Sequence, residues 1–314
     1  MSQPTVPKEK VLRNRKKVQS YKLFILISPF IILLFIFSYL PLYGWIYSFF
    51  DYTPPLKLSQ SPFVGFKWFQ FLFSNPTQLS EFLNVMRNTF AMSGLGILTS
   101  PLSLFFAIFL NEIRCKPYKK LVQTLTTLPN FISWVLIYSV AFSLFSSTGM
   151  INNVLSSLGW ISEPIRFMDS DNHTWLSMLL WGTWKGLGWG AIMYLASISG
   201  IDTELYEAAK VDGSGRFNLI WHVTIPGLLP TYFVLLMLSV ANFLSNGLDQ
   251  YYVFHNSFNM EHIKVLDLYV YQLGLGNGNY ALSTALSMMK SIVSVALLFF
   301  VNTLSKLTRG ESIV

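Results

Sequence analysis

The sequence predicts an all-α membrane protein with six transmembrane helices, and three observations support this prediction. Hydrophobic residues make up 52% of the chain and charged residues only 12%, whereas about a quarter of the residues of a soluble domain are charged. The apolar residues form long runs of roughly the 20 residues that a helix needs to cross a bilayer. Lysine and arginine are distributed unevenly between the segments that connect these runs. One domain of 314 residues, solvated largely by lipid, is therefore expected.

The predicted elements follow one another along the whole chain. Residues 1–20 form a basic N-terminal segment that is expected to be cytoplasmic and to contact anionic membrane lipid. The membrane domain, 21–314, contains predicted spans at about 23–50, 88–110, 121–145, 175–198, 228–253 and 281–304. The first apolar run is too long for a signal peptide and lacks a small-residue cleavage site, so it is predicted to be a retained span. Pro101 is expected to kink the second span and Pro129 to interrupt the third.

The loops between these spans set the predicted orientation. Fifteen of the 22 Lys and Arg residues fall on the side of the N-terminus, and five fall on the other side. The external side receives residues 51–86, residues 146–173 and a third loop that holds Asp267. Because positive charge accumulates on the cytoplasmic side, both termini are predicted to be cytoplasmic. This distribution also explains the net charge of +7 without a nucleic-acid partner.

Several classes of chemistry have no pattern in this sequence. Cys115 is the single cysteine, so the chain cannot form an internal disulfide. The four histidines are scattered without ligand spacing, and neither a phosphate-binding loop nor a nucleophile elbow is present. No catalytic residue and no metal ligand is therefore predicted.

A polar hairpin at 202–230 interrupts the apolar sequence on the predicted cytoplasmic side. Asp202 or Thr203 is expected to cap a helix that stops at Gly213, where a left-handed backbone is needed. A second helical turn is predicted around 217–222. Pro226 is expected to end that turn, because the residue before a proline is steered away from the helical region.

Polar residues also recur at helical spacing within the predicted spans. One stripe on the fifth span contains Ser239, Asn242, Asn246 and Asp249, and another on the sixth surrounds Lys290 with serines at 283, 287, 291 and 294. The fourth span carries Trp181, Trp184, Lys185 and Gly188 on one face and Gly182, Gly186 and Gly190 on another. Ionisable groups seldom face lipid, so Lys290 should face a cavity or a partner helix. Each stripe either lines a solute path or packs helices together, and packing is preferred for the glycines.

The hairpin resembles the EAA motif of permease subunits of binding-protein-dependent ATP-binding-cassette (ABC) importers. The matching positions are Glu207, Ala208, Ala209, Asp212, Gly213, Ile225, Pro226 and Pro230, whereas Ser214 stands where alanine is usual. Segments 39–44, 63–66, 87–89, 110–114 and 128–134 are similar to the subgroup that imports multiple sugars and polysaccharide fragments. The resemblance covers nearly the whole chain.

This resemblance implies a type I importer permease (MetI-like) fold in a multi-pass protein of the bacterial inner membrane. The Ala208/Ala209 face would sit in a cleft of an ATPase, where Glu207 would bind a basic group and Gly213 would set the angle of the hairpin. The implied partners are a second, related permease, two ATPase subunits, an external solute-binding protein and an oligosaccharide. ATP and Mg would be used by the partner subunits, so this chain would bind no cofactor and would not be an enzyme. The candidate solute path comprises Ser239, Asn242, Asn246, Asp249, Trp181, Trp184 and Lys290. A permease for a non-sugar small solute is the alternative.

Overall fold

The structure, a computed structural model, describes residues 8–168 and 171–309, which are almost entirely helical. Residues 1–7 of the predicted basic segment and the last residues of the tail lie outside the described part of the chain. Within the described part, one antiparallel bridge joins Phe50 to Phe63. The helices are α1 (Lys8–Leu34), α2 (Lys67–Ser74), α3 (Pro76–Thr99), α4 (Pro101–Glu112), α5 (Lys116–Thr127), α6 (Trp134–Phe145), α7 (Met150–Ser157), α8 (Thr174–Ser199), α9 (Thr203–Val211), α10 (Arg216–Leu219), α11 (Ile225–Ala241), α12 (Asp249–Phe254), α13 (Met260–Ile263), α14 (Leu266–Tyr271) and α15 (Tyr280–Arg309).

Five helical stretches in the described part are long and apolar enough to cross a membrane. They are Tyr21–Phe49, Pro76–Glu112, Trp134–Ser157, Arg216–Ala241 and Tyr280–Leu307. The fourth predicted span corresponds to α8, a 26-residue helix that is not among these five. Four tryptophans, four glycines and Lys185 lower its mean hydropathy. A sixth crossing therefore depends on whether α8 spans the bilayer.

The first two predicted spans are helical, with a difference at the start of the second. The first continues from α1 through a π-helical turn (Phe35–Tyr39) and a 3-10 helix (Leu40–Phe49). No residue in its most apolar window is buried, as expected for contact with lipid. The second begins at Pro76 rather than near residue 88, because Asn75 caps it by accepting from the Thr77 N–H at 3.0 Å. At the position of the kink that was predicted at Pro101, α3 ends at Thr99 and α4 begins at Pro101.

The interruption that was predicted at Pro129 within the span 121–145 is confirmed. The chain breaks between α5 and α6, where a 3-10 turn (Leu128–Phe131) contains Pro129 and is followed by two extended residues. Lys185 of α8 donates from its ammonium group to the carbonyls of Pro129 and Asn130, both at 3.0 Å, and to that of Ile132 at 2.5 Å. The lysine therefore supplies partners for backbone groups that a continuous helix would have satisfied internally. In addition, α7 lies in the segment that was predicted to be the second external loop.

The prediction of one helix over 228–253 is wrong. Helix α11 ends at Ala241, residues 242–248 turn, and α12 follows. At the other end Pro226 does not stop the helix, because a π-helical turn (Ile220–Thr224) joins α10 to α11. The Ile225 N–H donates to the Ile220 carbonyl, five residues earlier, and Pro226 then occupies the first turn, where its missing N–H is tolerated. One helical rod therefore runs from residue 216 to residue 241.

Helix α8 lies at the centre of the described bundle and packs against α3, α4, α5 and α11. The C-terminal half of α8 forms a buried cluster with α4 and α11, in which Leu104, Tyr194 and Leu228 are in contact. Gly188 and Gly190 allow the close approach: a Cβ at Gly188 would overlap the Thr126 backbone, and one at Gly190 would lie 2.7 Å from the Ser103 Oγ. Packing by small residues is thus confirmed for these two positions.

Replacing Gly188 by alanine is expected to lower the stability of the folded chain by about 2 kcal/mol, because the methyl group meets backbone that cannot move aside. Gly186→Ala is the matched control, since nothing lies within 4 Å of a Cβ at Gly186, two residues earlier on the same helix. It should be neutral or slightly stabilising, because alanine favours helix. Thermal unfolding of the detergent-purified protein measures both, and equal midpoints would contradict the packing role of Gly188.

Candidate functional site

The first half of the hairpin at 202–230 has the local structure that its sequence predicts. The Asp202 carboxylate accepts the Glu204 N–H at 2.9 Å and caps α9. Gly213 has φ +78°. Its N–H donates to the Lys210 carbonyl at 3.0 Å, and the next N–H, of Ser214, donates to Ala209 at 2.9 Å. These two bonds form a Schellman motif, which requires a left-handed residue at Gly213.

The predicted coupling residues lie on the surface of this hairpin. Glu207, Ala208 and Asp212 are exposed, Ala209 is half-buried, and Ile225 and Pro226 begin α11. Large apolar side chains stand beside them, with Val211 88% and Phe217 87% exposed. Apolar side chains this exposed next to a polar motif are typical of a protein interface.

The two arms of the hairpin are joined to each other. The Tyr206 hydroxyl lies 3.0 Å from the Thr224 Oγ1, which joins α9 to the π-helical turn. Since α10, that turn and α11 form one rod, a displacement of the hairpin would reach Ala241 at the far end of the rod.

That far end opens on a cavity of about 640 Å³, hereafter the main cavity, lined by α3, α4, α8, α11 and the 242–248 turn. Its polar lining consists of hydroxyl and amide groups, from Ser93, Thr99, Ser100, Ser103, Thr183, Ser239, Asn242, Ser245, Asn246, Gln250 and Tyr251. No Asp, Glu, Lys, Arg or His side chain is among the described residues that line it. The structure thus brings Ser239, Asn242 and Asn246 to one cavity.

The predicted stripe itself is corrected, because α11 ends before Asn242. Asn246 reaches the main cavity from the turn, and Asp249 is exposed and lies outside the lining. The sequence reasoning missed Ser93 and Gln250. It also favoured packing for Gly182 and Gly186, which line the main cavity instead. The serine–asparagine–glycine run at 245–247 is the turn signal that could have revealed the break.

Asn246 holds a free acceptor at the main cavity. Its Nδ2 donates to the Ser93 Oγ at 2.9 Å, and the Ser93 hydroxyl donates to the Phe243 carbonyl. The Asn246 Oδ1 is buried and has no hydrogen-bond partner among the described residues. An unpartnered buried acceptor is costly, so a donor on a bound molecule would be favourable there.

Trp181 and Trp184 line a different cavity, of about 680 Å³, between α6, α8 and α12. Their rings lie 5.9 Å apart in an edge-to-face arrangement, and Trp181 also contacts Phe145 and Phe254. This cavity is apolar apart from a few groups, which include Arg166 and Asn259. The predicted tryptophans are therefore not brought together with the predicted asparagines.

Lys290 lines cavities, as expected. It also has a partner of opposite charge, which the sequence did not indicate. It pairs with the Asp267 carboxylate. Asp267 also accepts the Gly247 N–H at 2.9 Å. Asp267 belongs to α14, a short helix in the connection that was predicted to be external, where the neighbouring Leu266 and Leu268 are buried. The pair lines two smaller cavities of about 570 and 410 Å³, which share Ser245 with the main cavity.

One further cluster joins residues from distant segments near the start of α8. Asp171, Glu261 and His262 have ligand atoms within 4.8 Å of one another. The His262 Nδ1 lies 2.7 Å from Asp171, and Arg87 lies 3.9 Å from Glu261. These charge pairings account for the proximity of the three side chains.

Comparisons with known proteins find relatives along nearly the whole chain. Residues 99–310 match the family described as binding-protein-dependent transport system inner membrane component. Protein LplB of Bacillus subtilis (strain 168) is 38% identical over 286 residues, which are 90% of this chain and 88% of that protein. The polygalacturonan/rhamnogalacturonan transport system permease protein YteP of the same strain is 36% identical over 300 residues, or 95% and 92% of the two chains.

Solved structures show the same fold. A chain in the crystal structure of a bacterial ABC transporter involved in the import of the acidic polysaccharide alginate has a TM-score of 0.82 and 31% identity. The match covers 95% of this chain and 99% of the chain in that structure. A second structure, of the bacterial alginate ABC transporter in complex with an alginate pentasaccharide-bound periplasmic protein, has the same TM-score at 30% identity.

Proposed function

Since the chain belongs to the binding-protein-dependent transport system inner membrane components, we propose that it carries an oligosaccharide or polysaccharide fragment across the membrane through its main cavity. It is the permease of an ABC importer, a transport subunit and not an enzyme. Relatives whose names state a cargo transport polygalacturonan and rhamnogalacturonan, alginate, arabinooligosaccharides or lactose. An oligosaccharide cargo is the function that these names and the main cavity support best.

The lining of the main cavity, in which the polar side chains that the structure describes are all hydroxyls or amides, carries this proposal. A sugar presents many hydroxyl groups, each of which donates one hydrogen bond and accepts others. The serine and threonine hydroxyls and the Gln250 amide of the main cavity are matching groups. A charged cargo, for example an amino acid with its ammonium and carboxylate groups, would find no counter-charge in the described lining.

We further propose the assembly and its orientation. The exposed Val211 and Phe217 beside Glu207 and Ala208 support docking of the hairpin into an ATPase subunit, which would use ATP and Mg. The full importer would contain two such ATPases, a second permease of related but different sequence, and an external binding protein. Helix α8 would be the sixth span, so that both termini and the hairpin lie in the cytoplasm of a bacterial cell.

The assignment of cargo is tested by purifying the intact importer together with its external binding protein and identifying the bound molecule by mass spectrometry. An oligosaccharide is expected, and the same oligosaccharide should stimulate the ATPase activity of the complex. Stimulation by amino acids alone would contradict the carbohydrate assignment and would favour the alternative, a permease for a non-sugar solute.

Asn246→Leu is expected to raise the KM for uptake about three- to tenfold, because it replaces an amide in the lining of the main cavity by an apolar side chain. Ser93→Ala is the matched control, since it removes the partner of the Asn246 Nδ2 and leaves the Oδ1 in place. Its KM should change less. Concentration-dependent uptake into vesicles measures both values, and equal changes would assign Asn246 a purely structural role.

A further inference from the structure

The charge pair beside the main cavity bears on whether the cargo is neutral or acidic, because the names of the relatives include both kinds, for example lactose and alginate. The side chains of Asp267 and Lys290 are only 17% and 19% exposed. They line the smaller cavities that meet the main cavity at Asn242 and Ser245. A cargo that binds where these cavities adjoin the main cavity would contact Lys290 as one member of an ion pair that has no net charge.

The pairing with Asp267 makes the charge of Lys290 unavailable to an anionic group on the cargo. Lys290 pairs with Asp267, and the same carboxylate accepts the Gly247 N–H at 2.9 Å, which fixes it against the turn that lines the main cavity. A buried carboxylate on the cargo would need a free cation, because burying an unpaired charge is strongly unfavourable. Breaking the existing pair to provide one would leave Asp267 uncompensated in the same place.

Resting on the proposed function, we infer that this permease accepts uncharged sugar residues and rejects uronate-bearing ones, with Asp267 as a specificity-determining residue. The uncharged lining of the main cavity agrees with this assignment. The cargo would thus differ from the acidic polysaccharide of the structurally similar alginate importer. The recognised chemistry is a set of hydroxyl groups without a carboxylate.

The test uses the complete importer, reconstituted with its binding protein in liposomes that contain ATP. The liposomes receive a mixture of short oligosaccharides from plant and algal polysaccharides, half of them neutral and half bearing uronates, and accumulation is read by mass spectrometry. The unmodified importer should accumulate neutral oligosaccharides only. Accumulation of uronate-bearing oligosaccharides would overturn the inference and keep the proposed function, whereas no oligosaccharide at all would contradict the proposed function itself.

The role of Asp267 is tested in the same assay. Asp267→Asn keeps an oxygen for the Gly247 N–H and frees the Lys290 charge, so the ratio of uronate to neutral uptake should rise about tenfold, the effect of one hydrogen bond to a charged group. The double variant Asp267→Asn/Lys290→Met should restore the original ratio. If Asp267→Asn does not assemble, Ser291→Lys adds a free cation to the same small cavity and should raise the ratio likewise. An unchanged ratio in the assembled variant would overturn the role of Asp267.

Discussion

Gly213→Pro and Glu207→Lys are expected to lower uptake about tenfold or more while the protein remains in the membrane and the ATPase subunits stay active. Gly213 has φ +78°, which proline cannot adopt, so the Schellman motif at the end of α9 would open. Glu207 is exposed on the same helix, where a lysine would repel a basic group of the proposed ATPase cleft. Coupling free energies between two sites imply a loss of uptake of about tenfold or more.

Two matched controls separate coupling from general damage. Gly215→Pro introduces the same residue where φ is already −75°, within the range of proline. Glu204→Lys reverses the same charge one turn earlier and disturbs the N-terminus of α9 by only about 0.3–1 kcal/mol. Uptake and ATP hydrolysis are measured together in reconstituted liposomes. Normal uptake by both Gly213→Pro and Glu207→Lys would contradict the coupling role of the hairpin.

The hairpin was predictable because its signals are local. The Asp202 cap and the left-handed Gly213 each depend on hydrogen bonds to residues only two to five positions away. The motif residues, which match positions in a known family, follow from the same short segment. The length and spacing of the apolar runs were likewise sufficient to predict most helices, since a helix satisfies its backbone within itself.

The interior of the candidate site was not predictable in the same way. A period of 100° per residue placed Asn242, Asn246 and Asp249 on a helix that ends at Ala241. The pairing of Lys290 with Asp267 joins two helices, and that of Lys185 with the break at 128–133 joins residues more than 50 positions apart. Such contacts depend on how helices are arranged in space, which periodicity along one helix does not determine.

Lys185→Met is expected to reduce the stability of the folded chain by about 3 kcal/mol or more, because three backbone carbonyls lose their donor. The break between α5 and α6 lies against the central helix α8, so no continuous helix can take over these hydrogen bonds. The ammonium group also lies 5.3 Å from the centre of the Trp134 ring, a cation–π contact that methionine lacks. Thermal unfolding of the purified protein should show the loss as a lower midpoint.

Lys185→Arg and Lys290→Met distinguish this role from a simple need for charge. Arginine provides several N–H donors and should recover part of the stability. Lys290→Met removes an equal charge from α15 and leaves the carbonyls of 128–133 hydrogen-bonded to Lys185. It should therefore disturb the surroundings of Asp267 and not the break between α5 and α6. If Lys185→Met unfolded at the same temperature as the unmodified protein, the break would have to be stabilised by its own 3-10 turn. Lys185 would then be free to act in the solute path, as its position among polar residues on the fourth predicted span would allow.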